Sequence, residues 1–258
     1  MKTKTKAWVN LGLLLLTLGV NFLGGTGRIN NMSQGEVSDS YHTLITPAGF
    51  TFSIWSVIYG LLLICMITMV VKHEDRYYKE VIERISPFLW LSYLTNIIWI
   101  VLFSYVQIGL STLFIFAYLF SLNFILMQLK GLSQNREWLL PLTFGMNTGW
   151  LFIASVVNVA AFLVQIDWQG FGVSDSTWAA IIMVVAVLLA LIVLLIVQNA
   201  AFPLPIAWAF FGIFKELQSS GSNGLLGMIS LVSMVFLMGI TIFIFIRNEK
   251  SIYPTRAI

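Results

Sequence analysis

Eight stretches of the chain, at about 8–24, 51–71, 87–106, 110–129, 138–163, 177–198, 200–214 and 224–246, contain no Lys, Arg, Asp or Glu. Most approach the roughly 20 residues needed to cross the hydrocarbon core of a bilayer. Backbone amides and carbonyls in lipid have no water to bond to, so each stretch must satisfy them within itself, as a helix does. Composition agrees: 59% of the 258 residues are hydrophobic and 10% charged, against about 25% charged in soluble domains. The expected fold is therefore all-α, a polytopic transmembrane bundle of about eight spans, with the lipid bilayer as its solvent. The seventh run, 200–214, is the weakest, since it is short and carries Pro203 and Pro205. Those prolines start or kink a helix, and with Gln198 and Asn199 before them they also allow a re-entrant turn; the reading adopted is a span.

The basic residues give the orientation. Lys2, Lys4, Lys6, Lys72, Arg76, Lys79, Arg84, Lys130, Arg136, Arg247, Lys250 and Arg256 fall on one side of an eight-span path, and only Arg28 and Lys215 on the other. Positive loops stay in the cytoplasm, so a cell-membrane protein with both termini cytoplasmic is expected. Trp8, Trp90, Trp138 and Trp178 lie near run ends, where aromatic side chains settle at membrane interfaces. The first run reads as a span rather than a cleaved signal, because no small-x-small site follows and Asn10 and Asn21 suit a packed helix. Residues 72–86 read as a short, solvated, charged helix, and about 25–50 as a long external loop.

The net charge of +3 is not the dense basic surface that nucleic acid requires. One cysteine, Cys65, excludes an internal disulfide and reads as a small core residue. His42 and His73 both fall in loops, so no helix-borne histidine pair is available for a buried metal. No hydrolase elbow, phosphate loop or nucleotide fingerprint is present. None of the spans carries an ionisable carboxylate or histidine, which argues against an ion-coupled pump. The protein is read as not an enzyme, since only loop residues such as Glu36, His42 and Asp167 could serve as acid or base.

The spans do carry aromatic and amide groups at helical spacing. Thr46-Pro47-Ala48-Gly49-Phe50 leads into Trp55 and Tyr59, four apart and on one face. Asn96, Trp99 and Phe103 share a face of the third span. Trp150, Ala154 and Asn158 follow at four-residue steps in the fifth. An amide in hydrocarbon must find a partner, so Asn96 and Asn158 should face the bundle. Such residues serve helix packing as readily as ligand contact, but three such patches fit one mostly apolar cavity with a few polar groups.

Together these patches resemble the TspO/MBR family, also called translocator protein or tryptophan-rich sensory protein. Pro47, Trp55 and Tyr59 stand at the family's offsets, as do Asn96-x-x-Trp99 with Phe103, and Trp150-x3-Ala154-x3-Asn158. The sequence departs from the pattern where Thr46 replaces a proline, Gly49 a tryptophan, Phe52-Ser53 a Gly-Pro, and Met146-Asn147 a Pro-Tyr. The resemblance covers about 8–163. It implies a five-helix unit over 1–163; the three further spans and short tail over 164–258 have no counterpart in the five-helix family and suggest a longer bacterial branch. It further implies a membrane receptor or sensor that binds a tetrapyrrole (porphyrin or haem-like) or sterol-like lipid, with a regulatory or transport role. The ligand site it implies comprises Pro47, Phe50, Trp55, Tyr59, Asn96, Trp99, Trp150, Ala154 and Asn158, with no metal and no obligatory cofactor. Homodimers are common in the family. Two alternatives stay open: a secondary transporter of a small amphipathic solute, suggested by the broken Gln198–Pro205 segment, and an intramembrane enzyme acting on a tetrapyrrole or lipid.

Overall fold

The computed structural model describes residues 1–132, 137–221 and 224–254. Among these residues it contains nine α-helices and no strand: α1 Thr3–Gly25, α2 Gln34–Ser40, α3 Ile54–Val71, α4 Arg76–Ser104, α5 Ile108–Leu132, α6 Leu139–Gln165, α7 Asp175–Val197, α8 Pro203–Ser219 and α9 Leu225–Arg247. Short 3₁₀ turns at Gly49–Ser53 and Gly170–Gly172 lead into α3 and α7.

Local chemistry starts and stops these helices where the sequence provides for it. Ser33 and Glu36 form a reciprocal capping box on α2, which pairs two otherwise orphaned backbone donors. The Asp75 carboxylate accepts from the amides of Tyr77 and Tyr78 and starts α4. Ser174 accepts from Thr177 at the start of α7. Gln198 takes a left-handed conformation (φ 55°) and ends α7. Pro203 opens α8 at a position where no amide hydrogen is needed.

Two expectations are corrected here. The charged segment 72–86 is not a separate solvated helix. From Arg76 onward it is the first part of α4, which continues through Pro87 into the third span, and Tyr77, Tyr78, Val81, Ile82 and Ile85 are buried. Its apolar residues recur at helical spacing and pack on the bundle, so only one face is solvated. The first external segment is not all loop, since α2 occupies Gln34–Ser40.

Among the described residues, seven helices are long and apolar enough to cross a membrane. The run at 200–214 forms α8, whose 17 residues span about 25 Å at 1.5 Å per residue. It nevertheless runs from one end of the bundle to the other. At its start, Asn199 Nδ2 donates to the Pro141 carbonyl at 2.9 Å and the Ala200 amide donates to the Ile252 carbonyl at 2.9 Å. Partway along it, Trp208 Nε1 donates to the Thr51 carbonyl at 3.0 Å, and at its far end His42 faces Glu216 at 3.5 Å. No residue from 203 to 214 is exposed, so neighbouring helices rather than lipid surround it. The chain break at 198–202 thus begins at one end of the bundle, beside Pro141, and by Phe202 has reached Gly149 and Phe152, near the middle of α6.

Both chain ends meet that same end. Lys6 pairs with Glu83, and Tyr253 donates to the Leu126 carbonyl at 3.0 Å. Most of the basic residues counted above gather there, while Arg136 and Arg256 lie outside the described residues.

Close helix contact depends on two glycines of α6. A Cβ at Gly145 would collide with the Asn199 side chain, and one at Gly149 with the Phe202 carbonyl and Pro205. Buried amides tie other helices together. Asn10 binds Ser86 at 2.9 Å and accepts from Trp90 at 2.7 Å. Asn21 donates to Asn96 at 2.8 Å and accepts from the Tyr59 hydroxyl at 2.6 Å. Such interhelical bonds contribute about 0.6–2 kcal/mol each in lipid.

Candidate ligand cavity

A narrow cavity lies in the half of the bundle opposite the chain ends, enclosed by α3, α4, α6 and α8 and roofed by α2 and the 47–52 segment. Its walls include Gln34, Ser38, Pro47, Phe52, Trp55, Trp99, Phe103, Trp150, Ala154, Asn158 and Ala209. About 50 Å³ is open to the centre of a water-sized sphere, room for a few waters.

Tryptophan rings set its shape. Trp55 stands 6.3 Å from Trp99 and 6.1 Å from Trp150, the latter edge to face, and Phe52 meets Trp150 edge to face at 6.2 Å. These are favoured aromatic geometries, and they arise because three helices each contribute one indole at the same depth. Trp99 Nε1 donates to Asn158 Oδ1 at 3.2 Å, and the Asn158 amide donates to Thr112 at 2.7 Å and Ser111 at 3.2 Å. Both are thereby fixed. Trp150 differs: it is 2% exposed, yet its indole N–H has no hydrogen-bond partner among the described residues. A buried donor left unpaired costs roughly 1–3 kcal/mol.

Pro47, Trp55, Trp99, Trp150, Ala154 and Asn158, all expected at the site, line this one cavity. Tyr59, Asn96 and Phe50 do not. Tyr59 stacks on Trp55 at 5.0 Å and stands behind it, its hydroxyl committed to Asn21. Asn96 is 1% exposed and spent on the α1–α4 contact. Phe50 is 46% exposed and packs on the outer side of α8, 5.5 Å from Trp208 and 5.9 Å from Phe211. Helical spacing placed Tyr59 and Asn96 on inward faces but could not say which neighbour each would meet. Phe52, Gln34, Ser38 and Ala209 come to the cavity through α2, the 3₁₀ turn and α8, whose docking carries no local sequence signal.

The roof is latched to α8. The Ala48 amide donates to the Gly212 carbonyl at 3.2 Å, Trp208 holds Thr51, and His42 faces Glu216. The 3₁₀ turn lies so close that a Cβ at Gly212 would collide with Thr51. Outside the membrane, Glu36 has its carboxyl pulled below the ordinary carboxylate range, first by the Ser33 backbone amide and then by the Ser33 hydroxyl. Cys65 is fully buried and contacts Thr143.

The lining has no ionisable side chain, and no group of three His, Cys, Asp or Glu able to hold a metal occurs among the described residues. The arrangement can bind and orient an apolar molecule. Its one lining hydroxyl, Ser38, has no acid or base beside it in the lining.

The fold and the site define a helical multi-pass membrane protein with a tryptophan-walled internal cavity. The sequence matches the family described as TSPO-like protein over residues 7–246, and the chain belongs to that family, which is generally non-enzymatic. The match runs through α7 and α8 and into α9, beyond the five spans on which the motif resemblance was drawn. No curated protein and no solved structure matches the chain.

Proposed function

We propose that this protein binds a flat apolar ligand, a tetrapyrrole or sterol-like lipid, in the tryptophan-walled cavity, and that it senses or regulates through that binding with the chain ends in the cytoplasm. The convergence of Trp55, Trp99 and Trp150 on one cavity is the observation that carries this reading, and the unpaired Trp150 indole N–H adds to it. Its residue lines the cavity while the N–H itself is shielded, so a ligand acceptor would reach it, and relieve its cost, once the cavity opens. Indole faces suit a conjugated ring, and family membership supports a binding role. The basic asymmetry supports the orientation.

Two consequences follow from the geometry. A ligand of drug size needs a pocket of about 300 Å³ or more, so binding requires the roof of α2 and 47–52 to lift from α8. No His, Cys, Met or Tyr lines the cavity, so iron in a haem would gain no axial protein ligand. The metal-free ring is therefore expected to bind at least as tightly as the iron form.

The test is titration of the purified protein with protoporphyrin, haemin and a sterol, followed by tryptophan quenching. Saturable binding of one of them that Trp55→Ala and Trp99→Ala each weaken supports the proposal. Binding unchanged in both variants, or no saturable binding by any of the three, overturns it.

A further inference from the structure

A second cavity system lies outside the first. Where α7 meets α6, a cavity of about 330 Å³ opens at the roof end, between residues 42–45, the α6 terminus and the start of α7. A second of about 380 Å³ continues from it along α5, α6 and α7. Ala160, Leu163, Trp168, Trp178 and Ile182 wall both, so the two form one cleft. α7 buries Ala179, Met183, Ala186, Ala190, Leu194 and Val197 along its length, and Ser230 of α9 donates to Met183 Sδ at 3.3 Å, so the cleft lies to one side of a helix packed throughout. Trp178 Nε1 donates to the Gly170 carbonyl at 2.8 Å at the roof end, and Lys130 donates to the Ile196 carbonyl at 2.7 Å at the other.

The two ends of the cleft differ in chemistry. The inner stretch is lined by Phe116, Leu119, Val159, Val185 and Leu189, with Ser155 the single hydroxyl. The Ser155 hydroxyl is already bonded to the Leu151 carbonyl at 2.8 Å. At the mouth, the charge-bearing side chains are Asp175 and His42. His42 faces Glu216, and neither Lys nor Arg lines the mouth. Trp168 and Trp178 sit there with ring centres 5.0 Å apart. A carboxylate beside indole faces favours a cation; an anionic head would find no charged donor but a histidine already facing a carboxylate.

We propose that this cleft is a binding site for an amphiphile of the bilayer, its acyl chain lying between α6 and α7 and its protonated amine head held by Asp175 and the Trp168–Trp178 pair. An amine-headed phospholipid has this chemistry. The groove runs at bilayer depth along helices of membrane-crossing length, and its polar mouth lies at the end where α7 emerges, so chain and head fall where a lipid carries them. The site is separate from the tryptophan-walled cavity, with no lining residue in common.

The test is native mass spectrometry of the purified full chain titrated with phosphatidylethanolamine and phosphatidylglycerol of identical acyl chains. Both carry a phosphate and differ in the amine. The ethanolamine lipid is expected to bind roughly tenfold more tightly, the order of a desolvated cation–π contact. Asp175→Asn should abolish that preference and Asp175→Glu should keep it. Val159→Phe, which fills the inner groove, should weaken both lipids by about tenfold. Equal binding of the two lipids by the unaltered protein, a preference that survives Asp175→Asn, or binding untouched by Val159→Phe overturns the proposal. So does loss of lipid binding in Ala154→Leu, which would place the lipid in the other cavity. None of these outcomes bears on porphyrin binding, so the two proposals fail separately.

Discussion

The tryptophan-walled cavity and the α6–α7 cleft share α6 as a wall yet are opposite in character. The first is narrow, closed over by a latched roof and held by buried hydrogen bonds such as Trp99–Asn158 and Asn158–Thr112. The second is several times larger and faces lipid. The contrast follows from how each neighbour docks on α6. On one side α8 packs against Gly145 and Gly149 with no space for a methyl group. On the other, a cleft separates α7 from the stretch of α6 between Ser155 and Leu163. Small residues that let backbones touch make a rigid wall in a membrane, where no hydrophobic effect pulls helices together.

The change expected to have the largest effect removes that contact. Gly149→Val drives a side chain into the Phe202 carbonyl and Pro205, which α8 cannot escape without leaving its seat. Stability in detergent should fall by about 3 kcal/mol or more, read as a lowered thermal midpoint, and ligand binding should go with it. A midpoint within a degree of the unaltered protein would mean that α8 is free to shift, and the rigid-wall account would be wrong.

Next in size is Ala154→Leu. It adds volume to the narrow cavity without adding polarity, and overfilling costs about 1–3 kcal/mol. Porphyrin affinity should drop roughly ten- to a hundredfold while lipid retention in the cleft stays unchanged. Equal losses at both sites would erase the distinction between them.

Trp150→Phe sharpens the comparison further. It keeps a flat ring but deletes the unpaired N–H. The free protein should be no less stable, since a buried donor without a partner is removed. Affinity for a ligand with a ring acceptor should fall about threefold to tenfold, one hydrogen bond's worth, in equilibrium titration. A loss of stability without a loss of affinity would assign Trp150 to packing alone.

The smallest effect concerns the roof. The Glu36 carboxyl is held below its ordinary range by Ser33, so its contribution to α2 is present above the ordinary carboxylate pKa and is lost as pH falls through the lowered value. Protection of the α2 amides, taken relative to intrinsic exchange at each pH, should fall under acid and hold at neutral or mildly alkaline pH. In Glu36→Gln the acid dependence should vanish. Acid dependence that persists in that variant would trace to another group.

Much of this was legible in the sequence. The uncharged runs fixed the helices, because lipid leaves the backbone no other way to pair its hydrogen bonds. Four-residue spacing put Trp150, Ala154 and Asn158 on one face of α6, and all three line one cavity with Pro47, Trp55 and Trp99. Local pattern failed wherever the answer depended on a partner helix. Tyr59 and Asn96 have the same inward-facing signature as Trp99, but Asn21 of α1 takes both. Phe50 differs from Phe52 by two positions in a 3₁₀ turn, which sends one ring to the outer side of α8 and the other into the cavity.

The sequence by itself determined that the chain lives in a bilayer, which end of the bundle gathers the positive charge, and which faces carry the indoles, because these depend on composition and on the 3.6-residue period alone. Only the tertiary structure decided that α8, short and proline-led, is a buried wall rather than a re-entrant turn. It also decided that three indoles from three helices close on one slot, and that α7 leaves a cleft beside it. Those outcomes rest on interhelical contacts between residues far apart in the chain, such as Gly149 with Phe202 or Thr51 with Trp208, and no local period encodes which helix a given face will meet.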